Sequence, residues 1–262
     1  MNARADPPDG TGPAGLAVHT CPVRDVRQAG RFARITISAP QVASEAAPGQ
    51  YVMVAVPGPD FHLRRPLSIH AVDGALVSLL VEVRGGGTQL LAAVQSGSVL
   101  ELTGPLGHGF PVAAGGEQVL VGGGIGAAPL RFLVAALRDA GGDPLVLLGF
   151  RDAAQSELLQ LLEIPFALVA TEDGAGGFTG TVVDLLNGSA PQAPQIFACG
   201  PLPMLAAVRD WAAAHDATGF VSLEAHMACG TGACHGCVVS LREGHRRVCV
   251  DGPVFPLAEL PA

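Results

Sequence analysis

Four cysteines crowd the C-terminal part of this 262-residue chain: Cys229, Cys234, Cys237 and Cys249, spaced C-x4-C-x2-C-x11-C. Thiolates are soft, anionic ligands that suit iron. The first three follow the spacing in which one loop wraps a [2Fe–2S] cluster and a distant fourth cysteine closes it. Small residues lie between them, Gly230, Gly232, Ala233 and Gly236 among others. Small residues let backbone N–H groups approach the sulfurs and offset their charge. Arg242, Arg246 and Arg247 follow on the next segment, where positive charge raises a cluster's potential. The competing reading is a structural zinc module. Zinc sites favour short paired ligands, and a glycine-rich x4 loop with one late partner fits them poorly. His235 lies inside the loop; four cysteines already complete the ligand set, so it is expected to face solvent.

A second group of residues suits phosphate chemistry. Gly122, Gly123, Gly124, Ile125, Gly126 and Ala127 follow an apolar run and precede helical spacing. They satisfy G-x-G-x-x-G/A through Gly122, Gly124 and Ala127, a turn that brings backbone amides and a helix N-terminus to a pyrophosphate. Cys199, Gly200 and Pro201 form a second loop after the apolar run 195–198. Cys199 reads equally as a buried small residue. Arg151 and Asp152 follow the next strand: Arg suits a 2′-phosphate, Asp a ribose hydroxyl. The pair leaves NAD and NADP both open, with a lean to NAD.

These motifs need elements to hold them. Residues 31–38, 50–56, 75–83 and 98–102 read as short strands with Gly or Pro between them, which suggests a closed antiparallel β-barrel. After Gly115 the pattern changes. Residues 118–121, 145–148, 166–170 and 196–199 are apolar strands separated by helical stretches, the pattern of a parallel sheet with crossover helices. Leu130, Leu133, Val134 and Leu137 share one helix face, Pro129 suits its first turn, and Gly141 and Gly142 end it. Residues 238–241 and 245–250 read as a hairpin turning at Glu243-Gly244. The expected division is a frayed extension over 1–15, a barrel over 16–112, an α/β domain over 113–222 and a small cluster module over 223–262.

Composition narrows the class further. Half the chain is apolar and 15% is charged, so a sizeable core is expected. Net charge is −8 and no basic face is apparent, which argues against nucleic acid as a partner. All fifteen basic residues are arginine. Any bound phosphate must therefore be met by Arg, backbone N–H groups or hydroxyls. The cysteines cluster instead of spreading as in a disulfide scaffold. With no secretory pattern and no apolar run long enough to span a bilayer, a reducing, cytoplasmic setting is expected.

Two further stretches complete an order of motifs: Arg64-Arg65-Pro66-Leu67-Ser68-Ile69 and Arg84-Gly85-Gly86-Gly87-Thr88. With the loops above, and with Gly104 to Phe110 (GPLGHGF), Met227 to Val239 and Val248 to Phe255, the chain resembles the ferredoxin–NADP reductase superfamily over about residues 16–256. Within it, the chain is most similar to the electron-transfer subunits of NAD-linked dihydroorotate dehydrogenases. The resemblance implies that Arg65, Pro66, Leu67 and Ser68 hold FAD, with Arg65 facing its pyrophosphate. It implies that Leu80, Val81 and Glu82 lie along the flavin, and that Gly87 and Thr88 meet its phosphates. Gly122 to Ala127, with Cys199, Gly200 and Pro201, would bind NAD(H), Cys199 as the catalytic-site residue near the nicotinamide. The four cysteines match the family's cluster ligands. Two departures stand out: the x11 interval before Cys249 is short for the family, and Leu67 replaces the superfamily's usual aromatic.

A nicotinamide gives two electrons as hydride and a cluster takes one at a time, so the order nucleotide, FAD, cluster follows. No (β/α)8 barrel fits beside three such modules. Dihydroorotate oxidation is therefore expected on an FMN-containing partner, in a heterotetramer of two plus two chains. The alternatives are a reductase subunit of an NAD(P)H–ferredoxin, sulfide or sulfite oxidoreductase, and a non-enzymatic nucleotide-binding protein with a zinc module.

Overall fold

A computed structural model describes residues 17–113, 115–189 and 191–261. The extension expected over 1–15 lies outside the described residues. Six strands close an antiparallel barrel: β1 (Val18–Ala29), β2 (Phe32–Ser38), β3 (Tyr51–Val54), β4 (Arg65–Asp73), β5 (Leu76–Glu82) and β6 (Val99–Leu106). Their order around the barrel is β1-β2-β5-β4-β3-β6. Val77, Leu79 and Val81 alternate inward on β5 and meet Ile35, Ile37, Val52, Val54 and Leu102 in a dry core. Helix α1 (Pro40–Glu45) adds Val42 to that core, and α2 (Gly86–Ala92) adds Leu91. β1 was not expected from the sequence. Pro22, Arg24, Asp25 and Arg27 break its apolar alternation, and its pairing with β2 slips between Val23 and Asp25 to accommodate them.

The parallel strands are β7 (Gln118–Gly123), β8 (Leu145–Phe150), β9 (Leu168–Thr171), β10 (Phe178–Thr179), β11 (Gln195–Cys199) and β12 (Thr218–Ser222). The C-terminal part adds β13 (Val238–Leu241), β14 (Gly244–Arg247) and β15 (Val254–Pro256). The larger sheet runs β10-β9-β8-β7-β11-β12-β15, with β15 antiparallel to β12. Its crossovers carry α3 (Leu130–Asp139), α4 (Ala153–Ser156), α5 (Leu159–Leu162), α6 (Val182–Ser189) and α7 (Leu202–Ala214). Leu130, Leu133, Val134 and Leu137 are the buried face of α3, as their spacing predicts. Chain order reverses between β7 and β11, and ligands gather at such a switch point.

The expected hairpin forms, β13 pairing antiparallel with β14, but its second strand ends sooner than the sequence suggests. β14 stops at Arg247, and residues 248–251 form a helical turn, α8 (Val248–Asp251), which carries Cys249. The chain turns here because the Asp251 carboxylate accepts the Arg247 N–H at 2.7 Å and the Cys237 carbonyl accepts the Val248 N–H at 3.0 Å. The segment also does not stand apart. β15 completes the nucleotide-side sheet, and Cys237, Val248 and Cys249 share a core with Trp211 and Val221.

Barrel and sheet meet through polar contacts set among apolar ones. His70 on β4 is fully buried, and its Nδ1–H donates to the Ala128 carbonyl at 2.6 Å. Buried Arg34 on β2 pairs with Glu163 after α5. Phe110 meets Phe197 edge-on, with ring centroids 5.7 Å apart. Among the described residues, no helix is long and apolar enough to cross a membrane.

Candidate cofactor cleft and cysteine loop

A cavity of about 210 Å3 lies where barrel, sheet and cysteine segment meet. Pro66, Leu67, Ser68, Leu80, Val81, Glu82 and Thr88 supply its barrel wall, which brings seven of the predicted flavin residues together. Ile125 and Cys199 supply the sheet side; Tyr51, Met227 and Pro253 lie towards the cysteine segment. Arg65 and Gly87 do not line this cavity; they pack on each other instead. A Cβ on Gly87 would stand 2.7 Å from the Arg65 guanidinium, so glycine lets that cation lie close against the first turn of α2. The Thr88 hydroxyl is committed to this turn: it accepts the Arg84 N–H at 2.9 Å and donates to the Gly85 carbonyl at 2.9 Å. An apolar floor beside an arginine and a glycine turn fits a planar ring carrying a pyrophosphate, and FAD is such a group.

A second cavity, about 540 Å3, opens beside the first on the nucleotide side. Gly123, Gly124 and Pro201 line it, with Arg84, Arg151, Glu172 and Met204. Gly122, Gly126, Ala127 and Gly200 are buried behind that wall. A Cβ on Gly126 would lie 2.5 Å from Gly200 Cα and 2.8 Å from the Cys199 carbonyl, so glycine is required for the two loops to touch. Burial, with Glu224 adding to it, pushes the Cys199 thiol well up, against a hydrogen bond with Ser222. Burial thus favours the neutral thiol at Cys199. Asp152 is occupied as the cap of α4, its Oδ1 accepting the Gln155 N–H at 2.7 Å. Arg84, Arg151 and Glu172 are the charged side chains that line this cavity.

The cysteine loop is threaded by amide N–H groups aimed at sulfur. Thr231 and Cys234 donate to Cys229 Sγ at 3.4 and 3.5 Å, Gly236 to Cys234 Sγ at 3.4 Å, and Cys249 to Cys237 Sγ at 3.4 Å. Burial opposes ionisation of Cys229, yet these donors win and lower its pKa to about 6. Burial, then Cys237, pushes Cys249 up to about 12. The loop therefore offers a ready thiolate at Cys229, whereas Cys249 loses its proton as a cation arrives. The thiol donors and the sulfur-directed amides fit an iron–sulfur cluster. Cys237 and Cys249 are buried, whereas Cys234 and His235 are exposed. Of the three arginines expected to bear on the loop, Arg247 reaches it, donating to the Gly232 carbonyl at 3.3 Å. Arg242 turns instead to the Leu260 carbonyl at 3.0 Å.

Several residues at the site escaped sequence reasoning. Tyr51, the chain's one tyrosine, shares its hydroxyl hydrogen between the carbonyls of Gly230 at 3.2 Å and Cys249 at 3.1 Å. It sits in an ordinary barrel strand, and only its rarity marks it. Ser222, Glu224 and Met227 enter the cleft because β12 ends there, and β12 carries no strong strand signal.

Known folds place this arrangement. The NADH-dependent reduced ferredoxin–NADP oxidoreductase, structurally described for flavin-based electron bifurcation, superposes with a TM-score of 0.81 at 28% identity, covering 96% of this chain and 91% of that one. A ferredoxin–NADP+ reductase from Neisseria gonorrhoeae shares the fold at a TM-score of 0.62 and 15% identity, covering 76% of this chain and 91% of that one. The protein is thus a ferredoxin-reductase-like oxidoreductase with an appended cysteine module. That module, residues 224–261, matches the iron–sulfur cluster binding domain of dihydroorotate dehydrogenase B. The electron transfer subunit of dihydroorotate dehydrogenase B (NAD(+)) from Shouchella clausii is 40% identical over 228 residues, 81% of this chain and 86% of that protein. Its counterpart from Caldanaerobacter subterraneus subsp. tengcongensis is 36% identical over 213 residues, 79% of this chain and 84% of that protein. The chain belongs to this family of electron transfer subunits.

Proposed function

We propose that this chain carries electrons between NAD(H) and the catalytic subunit of a cytoplasmic dihydroorotate dehydrogenase, through FAD in the barrel cleft and a [2Fe–2S] cluster on the cysteine loop. One observation carries the reading: a single cleft has Cys199 of the nucleotide loops on one wall and Tyr51, bonded to the cysteine loop, on another. That arrangement supports nucleotide, flavin and cluster sites in the order that the two-to-one electron conversion demands. FAD supplies that conversion when bound, taking electrons as a pair and releasing them singly.

The chain's own residues do the rest. Pro66, Leu67, Leu80 and Val81 offer an apolar wall that excludes water from the flavin ring, and Arg65 with Gly87 and Thr88 faces its phosphates. Gly122 to Ala127 and Gly200-Pro201 bring the nucleotide in, and Cys199 fixes the depth at which its nicotinamide stops. Cys229, Cys234, Cys237 and Cys249 ligate the cluster, with Cys234 on the solvent side where a partner approaches. That partner is an FMN-containing subunit that oxidises dihydroorotate, in an assembly of two plus two chains.

The test is anaerobic co-expression with that catalytic subunit, followed by flavin, iron and sulfide analysis and an assay for NADH formed from dihydroorotate. The expected result is FAD and two irons per chain, with NADH produced only when both subunits are present. A different redox partner co-purifying, with no such NADH, overturns the reading.

A further inference from the structure

Among the described residues one side chain, Arg84, lines both cavities. It follows β5 and stands at the junction of the flavin cleft and the larger nucleotide cavity. A dinucleotide with its adenosine in the 540 Å3 cavity and its other end beside Cys199 must carry its middle past this junction. That middle is a pyrophosphate, the ligand's concentrated negative charge. The chain has no lysine, so a permanent cation at this point has to be arginine.

Arg84 is held for the purpose. Its Nε and a terminal nitrogen approach one oxygen of Glu82, at 2.6 and 2.5 Å. The other Glu82 oxygen lies 2.9 Å from Arg31 Nε. The Glu82 side chain is 9% exposed and that of Arg84 is 67% exposed. The carboxylate is thus a buried anchor that also lies against Arg31, and the arginine is an exposed arm on it. An exposed arm exchanges its carboxylate for phosphate oxygens at little desolvation cost.

We infer that Arg84 receives the pyrophosphate of the nicotinamide nucleotide, and that Glu82 tempers the affinity by competing for the same guanidinium. This deepens the NAD(H) reading above and rests on it. Arg65, packed against Gly87, serves the flavin phosphates, so the two arginines divide two pyrophosphates between them.

The test uses the holoprotein and three probes: NADH, ADP-ribose, which keeps the pyrophosphate but lacks nicotinamide, and adenosine, which lacks both. Arg84→Ala is expected to weaken NADH and ADP-ribose about tenfold or more, the range for one charge-assisted contact, and to leave adenosine unchanged. Its salt dependence of ADP-ribose binding flattens. Arg84→Lys restores part of the affinity, and Glu82→Gln tightens ADP-ribose binding, a shift that a merely structural ion pair would not produce. FAD absorbance per protein is recorded for all three, so that nucleotide affinities are compared at equal flavin content. Unchanged ADP-ribose affinity in Arg84→Ala overturns the inference, as does weaker binding in Glu82→Gln at full flavin content. Flavin loss in Arg84→Ala with nucleotide affinity retained reassigns the arginine to FAD and also overturns it. Wild-type protein that binds neither NADH nor ADP-ribose instead sinks the NAD(H) reading beneath it.

Discussion

Replacing His70 with asparagine removes a titrating ring from the barrel–sheet contact and keeps an amide donor near the position of Nδ1. The imidazole is fully buried, its Nδ1–H donates to Ala128 at 2.6 Å, and its Nε2 has no hydrogen-bond partner. Burial lowers its pKa from 6.5 to about 4; nearby Arg34 and Arg131 push the same way, against the Ala128 carbonyl and Glu163. Above pH 6.5 the ring is neutral in both folded and unfolded chains, and its contribution is intact. Below 6.5 the unfolded chain takes up a proton that the folded chain refuses, so stability falls as pH drops towards 4. The full difference amounts to about 3 kcal/mol, of which roughly 2 kcal/mol is gone by about pH 5. Stopping there avoids Glu163, which its hydrogen bond to Arg34 holds below the usual 4.5 and which loses its stabilising charge only at lower pH. The assay is the urea midpoint of the holoprotein followed by the single tryptophan, Trp211, at steps from pH 7.5 to 5. Wild type is expected to lose stability with a slope that His70→Asn lacks, the two curves converging as pH falls. Parallel curves would refute the argument, because they mean that His70 takes up its proton as readily in the folded protein as in the unfolded chain.

Other outcomes follow from the same geometry. Tyr51→Phe deletes the hydroxyl shared by the Gly230 and Cys249 carbonyls. Leaving buried carbonyls without a donor costs about 1–3 kcal/mol, so a chelator should strip iron from this variant roughly tenfold faster or more, read by loss of visible absorbance. Gly126→Ala drives a methyl into Gly200 and the Cys199 carbonyl, and should abolish NADH oxidation while the flavin spectrum stays normal. Cys249→Ser should lose iron and sulfide yet still pass electrons from NADH to a two-electron dye, which separates the cluster from the flavin site.

Where an element has strong internal periodicity, its role was legible in the chain. The buried face of α3, the glycine turn after β7 and the four-cysteine loop each declare themselves through local spacing. β1 and β12 did not, because their stability comes from neighbours: Gly219 in β12 leaves room for the Ile196 carbonyl of β11, which a Cβ would meet at 1.9 Å. The helical turn bearing Cys249 was hidden because Val248 and Val250 read as strand formers, and a side-chain cap from Asp251 overrides them. The departure of Arg242 from the loop was equally hidden, since its partner is the carbonyl of Leu260, eighteen positions away. Arg84 looked like part of a glycine-rich turn, and its place between two cavities is a product of tertiary arrangement alone.

β15 is the last strand of the chain and the outer neighbour of β12. The outer hydrogen-bonding edge of β12 stays open until β15, which follows the cysteine loop in sequence, pairs with it. The cysteine loop is spliced between those two strands, so closing the sheet and shaping the thiol nest are coupled. The module cannot be lifted out or grafted as a cassette without unzipping the domain that hosts it.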